Sequence, residues 1–140
     1  MRKIKSLLTL GIIGTFLICC DQLNSAYLYN DTPDTVDVVL SIINPKEVES
    51  SFIFRKLSGD STANIYKLNN QTTRIEFSVC SKCEFEMFFD TARLRAQNLG
   101  VDSLKIIKKN GILQYTTKED IFNAFVEREH YSEKYLTIIN

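Results

Sequence analysis

Four residues, Cys80-Ser81-Lys82-Cys83, carry the side chains whose type and spacing say most about chemistry in this sequence. Two thiols at i and i+3 can close a disulfide, exchange disulfides with a partner, or supply half of a metal site. Along a straight strand they stand roughly 10 Å apart on opposite faces. Across a β-turn their Cα atoms come within about 7 Å, inside the range a disulfide spans. The segment must therefore be a turn or the start of a helix. As a hairpin tip it has a register problem. Ile75, Phe77 and Val79 can oppose Phe85, Met87 and Phe89 on one face only with an odd number of loop residues, so a bulge is expected. As a helix start it places Cys80 at the positive end of the helix dipole, which lowers a thiol pKa and makes the sulfur nucleophilic.

The helical alternative resembles thioredoxin-like redox sites and implies thiol-disulfide oxidoreductase activity. That family also requires a cis-proline loop facing the dithiol. Here the only prolines, Pro33 and Pro45, lie upstream, and Val79 rather than an aromatic residue precedes Cys80. A structural disulfide and a metal site are the other readings. Zinc wants four ligands, and this pair has only the lone His130 to join it, so no metal is expected. No catalytic residue is expected elsewhere, because the chain holds no Gly-x-Ser-x-Gly, no phosphate loop and no calcium loop. Glu84 and Glu86 read as a solvated strand face.

The compartment of these thiols is set by the first twenty residues. Arg2, Lys3 and Lys5 precede a largely apolar run from Leu7 to Cys19 without an acidic residue. That run of 13 residues is short for the roughly 20 a bilayer span needs, so residues 1–19 read as a secretory signal peptide. Its end, Leu17-Ile18-Cys19-Cys20 followed by Asp21-Gln22, resembles the lipobox of bacterial lipoproteins, with Leu at −3 and Cys at +1. The resemblance implies that Cys20 is lipidated, carrying a covalent diacylglycerol and an N-acyl chain, and becomes the first mature residue. No other cofactor is expected. Location follows: a bacterial cell envelope, with the membrane held through the lipid anchor as the first partner and an envelope protein as a possible second.

Loss of residues 1–19 removes three of 17 basic side chains and none of 17 acidic ones, leaving 14 against 17, a net −3. This mild acidity argues against nucleic acid as a partner. The remaining length suits one domain, 26–140, joined to Cys20 by a short tether, 20–25. Asp34-Thr35-Val36, Asp60-Ser61-Thr62, Asp90-Thr91-Ala92 and Asp102-Ser103-Leu104 match a short O-glycosylation motif of exported Bacteroidetes proteins, which makes Thr35, Ser61, Thr91 and Ser103 candidate sites. Each is equally ordinary turn or cap chemistry.

Nine Phe, six Tyr and many β-branched residues lean toward sheet. Strands are expected at Ala26–Tyr29, Thr35–Ile43, Ser51–Leu57, Ala63–Leu68, Thr72–Val79, Ile112–Tyr115 and Tyr135–Ile139, with turn clusters between them. Glu84–Asp90 reads as strand by its alternation and as helix by Phe85, Phe88, Phe89 and Ala92; the strand is favoured. Asn44-Pro45 looks like a helix start, and Asp102–Lys109 like a short helix ending at Asn110-Gly111, a dipeptide that equally suits a hairpin tip. Thr116-x-x-Glu119 is a capping box for a helix with Ile121, Ala124, Phe125 and Arg128 on one face. Helices placed late among many strands predict a mainly β protein, a small antiparallel β-sandwich with one or two short helices.

The runs YNDTPDTVDVVL (Tyr29–Leu40), FFDTARL (Phe88–Leu94), DSLKIIKKNGILQYTTKEDI (Asp102–Ile121) and YLTI (Tyr135–Ile138) together resemble small lipoproteins of unknown function from Bacteroidetes. That resemblance implies an envelope location and brings no active site. The sequence thus points to a non-enzymatic binding or assembly module, with the tethered oxidoreductase as its alternative.

Overall fold

A computed structural model describes residues 24–44, 46, 51–90, 95–127 and 133–139. Within these the chain is mainly β, as a sandwich of two sheets with two short helices. One sheet orders β5 (Glu84–Asp90), β1 (Asn24–Asn30), β9 (Glu133–Ile138) and β8 (Val126–Glu127). The other orders β3 (Asn64–Lys67), β4 (Thr73–Val79), β2 (Val36–Ile42), β6 (Ser103–Lys108) and β7 (Gly111–Tyr115). Neighbours are antiparallel except β1 and β9, which run parallel.

Alternation explains the core. In β2, Val36, Val38, Leu40 and Ile42 are buried while Asp37 is exposed, and β4 repeats the pattern with Thr73, Ile75, Phe77 and Val79. Period two sends each such set to one face. They meet Ala26, Leu28, Met87, Phe88, Leu136 and Ile138 from the facing sheet. β1 begins at Asn24, two residues earlier than the expected tether boundary, so Asn24 and Ser25 belong to the sheet.

Three local expectations are corrected. Phe52–Leu57 is a helix, α1, and not a strand: Ile53 and Leu57, four apart, are buried, while Arg55 and Lys56 are exposed. The helix lies against β5, where Phe52 meets Phe89 at 6.2 Å between ring centroids and the Lys56 ammonium sits over Phe85 and Phe52. Packing outweighs the strand preference of the aromatic residues. Asp102–Lys109 is not a helix but β6, with Leu104 and Ile106 inward, and Asn110-Gly111 lies in a tight hairpin closed by the Lys108–Gly111 pair. Asp102 does not cap a helix; its carboxylate accepts from the Ile43 N–H at 2.7 Å and its own N–H donates to Ser41 O. The helix that does form, α2 (Lys118–Ala124), is capped by Thr117, whose Oγ1 accepts from the Asp120 N–H. The capping pair is thus Thr117 and Asp120, one residue on from Thr116 and Glu119. This phase buries Ile121 and Phe125. The expected helix start at Pro45, and Arg128, lie outside the described residues.

Leu40 is fully buried in the central strand of its sheet. Leu40→Ala is expected to lower unfolding free energy by about 2–5 kcal/mol in urea denaturation. Ser78→Ala, on the exposed face of β4, is expected to change it by about 0.5 kcal/mol or less.

Candidate functional site

Cys80 and Cys83 are joined by a disulfide with Cα atoms 5.3 Å apart. The four residues form a turn in which the Cys83 N–H donates to Cys80 O at 3.2 Å. Lys82 takes the left-handed conformation, φ 59°. The turn is not a hairpin tip. β4 and β5 belong to different sheets, so the chain crosses the sandwich here and the register problem of a hairpin does not arise. Ile75, Phe77 and Val79 face Phe85 and Met87 across the core instead of beside them, with Phe77 and Phe85 ring centroids 4.3 Å apart. The bulge sits elsewhere. It lies in β5 against β1, where Ala26 pairs with Phe88 and Tyr27 with Glu86 while Met87 has no opposite residue. This lets Phe88 turn inward beside Met87 and leaves Phe89 outward and 44% exposed, whereas the alternation placed Phe89 with the inward set.

A second crossing lies against the first. β1 ends at Asn30, and residues 31–35 carry the chain across to β2. Asn30 is fully buried, and its side chain joins the two crossings. Its Nδ2 donates to Asp34 O at 2.9 Å, Val79 O at 3.0 Å and Cys80 O at 3.1 Å. Its Oδ1 accepts from the Thr32 N–H at 3.0 Å, and the buried Thr32 hydroxyl stands 2.8 Å from both that oxygen and Asp34 O. Carbonyls around one end of the amide and an N–H at the other fix its orientation. The Asn30 main chain adds two bonds to the disulfide turn, donating to Cys83 O and accepting from the Lys82 N–H. Ser81 Oγ donates to Thr32 O at 2.7 Å.

Outside this buried hub, Lys82 Nζ donates to Asp31 Oδ1 at 2.6 Å and to Asp31 O at 2.9 Å. The hydrogen bond from Lys82, then its charge, hold the Asp31 carboxyl below its usual value, and the same bond raises Lys82. The pair supports the fold between about pH 4 and 10. Its contribution fades as pH falls through the depressed Asp31 value, and again as it rises through the raised Lys82 value. Both groups face water, so the contribution is small.

The chemistry available to the disulfide follows from what succeeds it. Strand β5 starts at Glu84, so no helix dipole acts on Cys80. Cys80 is exposed, and Cys83 is half-buried against the core. Among the described residues no group of three or more His, Cys, Asp or Glu side chains could hold a metal ion.

The sequence did not single out a second cluster, on the outer face of the β1 sheet. Tyr27 and Tyr135 stack at 5.1 Å, Ser25 Oγ and Tyr27 Oη donate to Glu86 Oε1, and Lys56 pairs with the same carboxylate at 3.4 Å. Loss of solvent is the largest cause of the raised Tyr27 pKa, partly offset by Ser25, with Glu86 and Glu133 raising it further. The strand alternation that predicted β1 could have shown Tyr27 and Tyr29 on one face, but not their partner on β9.

Of the candidate modification sites, Thr35 and Ser61 are exposed and Ser103 is half-buried in β6. Two of the preceding acids are engaged. Asp60 Oδ1 accepts from the Thr62 N–H and hydroxyl, and Asp102 holds Ile43. Cys20, Thr91 and His130, with residues 1–19, lie outside the described residues. No protein-family model, curated protein or solved structure matches this chain.

Removing the Asn30 amide strands buried carbonyls and the Thr32 hydroxyl, so Asn30→Ala is expected to cost about 2–4 kcal/mol in chemical denaturation. Asn30→Asp would aim a carboxylate at those carbonyls and should cost at least as much; a milder effect would show the amide is not the donor. Cys80→Ser with Cys83→Ser should cost less, about 2 kcal/mol for so short a loop.

Proposed function

We propose that this chain is a membrane-anchored envelope lipoprotein of a Bacteroidetes-type bacterium, whose β-sandwich acts as a non-enzymatic binding or assembly module. What supports this reading is the lipobox-like run Leu17-Ile18-Cys19-Cys20 after the basic and apolar start, with the described strand β1 (Asn24–Asn30) close behind it in the chain. A folded head joined this closely to a lipidated cysteine is suited to partners at the membrane surface. Several acyl chains on Cys20 would hold it far more firmly than one, at about 0.8 kcal/mol per buried methylene.

The built state of the dithiol supports a binding role over catalysis. Cys80 and Cys83 sit in a β-turn that Asn30 and Thr32 fix to the rest of the domain, and a strand, not a helix, follows Cys83. Their disulfide behaves as a staple in an oxidising compartment.

Intact-mass analysis of the mature protein from its native membranes should show a chain beginning at Cys20 with acyl additions, and hexose on Thr35, Ser61, Thr91 or Ser103 if those motifs are used. Cys20→Ala should move the protein from the membrane to the soluble fraction. A water-soluble native protein without acyl chains would overturn the lipoprotein reading. A reduction potential in the oxidising range, with disulfide-reductase activity, would overturn the non-enzymatic one.

A further inference from the structure

We propose that the end of the sandwich where β1 begins is a bilayer-contacting surface, with Ile43, Leu68 and Phe89 entering the lipid interface. The proposal rests on the lipid-anchored reading above and adds to it an orientation and a set of contact residues.

The register brings these three side chains to one end. Phe89 pairs with Ser25, in the first turn of the pleat of β1. β2 starts at the opposite end, after the Asn30 crossing, so its last residue Ile42 and the adjoining Ile43 return to the end where β1 starts. The ends of the two sheets coincide along a chain of contacts: Phe89 meets Phe52 of α1, Gly100 approaches Ser51, and Asp102 binds Ser41 and Ile43. Gly100 has φ +70°, and a Cβ there would come 3.2 Å from Ser51 Oγ, so a side chain would crowd this junction. Across the sheet Ile42 pairs with Thr73, Thr73 with Lys67, and Leu68 follows, donating to Thr72 O.

All three are large apolar residues left in water by the fold: Ile43 is 57%, Leu68 58% and Phe89 44% exposed. What covers them is indicated by where the chain outside the structure joins. Four peptide steps from Asn24 to Cys20 span at most about 14 Å. An acylated Cys20 sits at the headgroup boundary, so this end of the sandwich is held within that distance of it. Side chains at an interface of this kind bury apolar area about 5–10 Å into the headgroup and acyl boundary. Lys67, exposed beside Leu68, can keep its ammonium among lipid phosphates while its stem lies along the apolar surface. The disulfide corner then stands about 20 Å further out, the length of β1, and faces away from the membrane.

The chain has no tryptophan, so single tryptophans report without background. The mature acylated protein carrying Ile43→Trp, Leu68→Trp or Phe89→Trp is reconstituted on phosphatidylcholine vesicles brominated near the headgroup. Ile112→Trp, at an equally exposed position on the far end of β7, serves as the control. Expected are vesicle flotation of every variant, with a blue shift and bromine quenching of the first three and neither for Ile112→Trp. Flotation with all four tryptophans unshifted and unquenched would overturn the docking surface while leaving the anchor intact. Quenching of Ile112→Trp alone would overturn it by inverting the orientation. A blue shift without quenching would assign the patch to a second copy of the chain and also overturn it. Native mature protein that proves to carry no acyl chains and does not float would overturn the anchored reading and this proposal together.

Discussion

A buried amide must find partners for both its ends or cost the fold several kcal/mol, and in this protein that requirement fixes how two sheets meet. Asn30 stands where the chain leaves one sheet, beside the place where β4 leaves the other. Its side chain accepts from Thr32 in the first crossing and donates to Val79 and Cys80 in the second. The disulfide acts on the same corner but constrains only the four residues of its own turn. Asn30 ties that turn to the rest of the domain.

The corner also settles the geometry of the aromatic core. Because β4 and β5 are separated by a crossing instead of a hairpin, Phe77 and Phe85 close on one another through the centre of the sandwich. Lys56 and α1 then close the β5 edge, with Lys56 paired to Glu86 and lying over Phe85. Left bare, that edge would offer an unpaired ladder of N–H and C=O groups to other chains.

Much of this architecture was legible in the residues. Strict alternation in Thr35–Ile43 and Thr72–Val79 marked β2 and β4, and the spacing of Cys80 and Cys83 required a turn. What failed did so for identifiable reasons. SFIFRKL has strand-forming residues, and only the neighbouring β5 turns them into a helix whose Ile53 and Leu57 point inward. Asp102 and its following residues carry a cap-like signature, but the aspartate is spent on Ile43, 59 positions away. Asn30 was visible as part of a turn cluster, and its bond to the Thr32 N–H is ordinary Asx-turn chemistry. Its bonds to Val79 and Cys80 join residues some fifty positions apart, which no local pattern encodes.

Both ends of the sandwich leave large apolar side chains exposed: Ile107, Ile112 and Ile139 at the cross-linked corner, and Ile43, Leu68 and Phe89 beside the first residue of β1. The proposed anchor at Cys20, four residues before Asn24, is what singles out the second end.

Native-state hydrogen exchange tests the role of Asn30 most directly, because loop amides ordinarily exchange by local opening at little cost while clamped ones wait for larger unfolding. With Asn30 as the clamp, the Thr32 and Lys82 amides, both outside the strands, should exchange with the same protection as core amides of β2 such as Val38. Exchange at these two amides at loop-like rates, with β2 still protected, would contradict it.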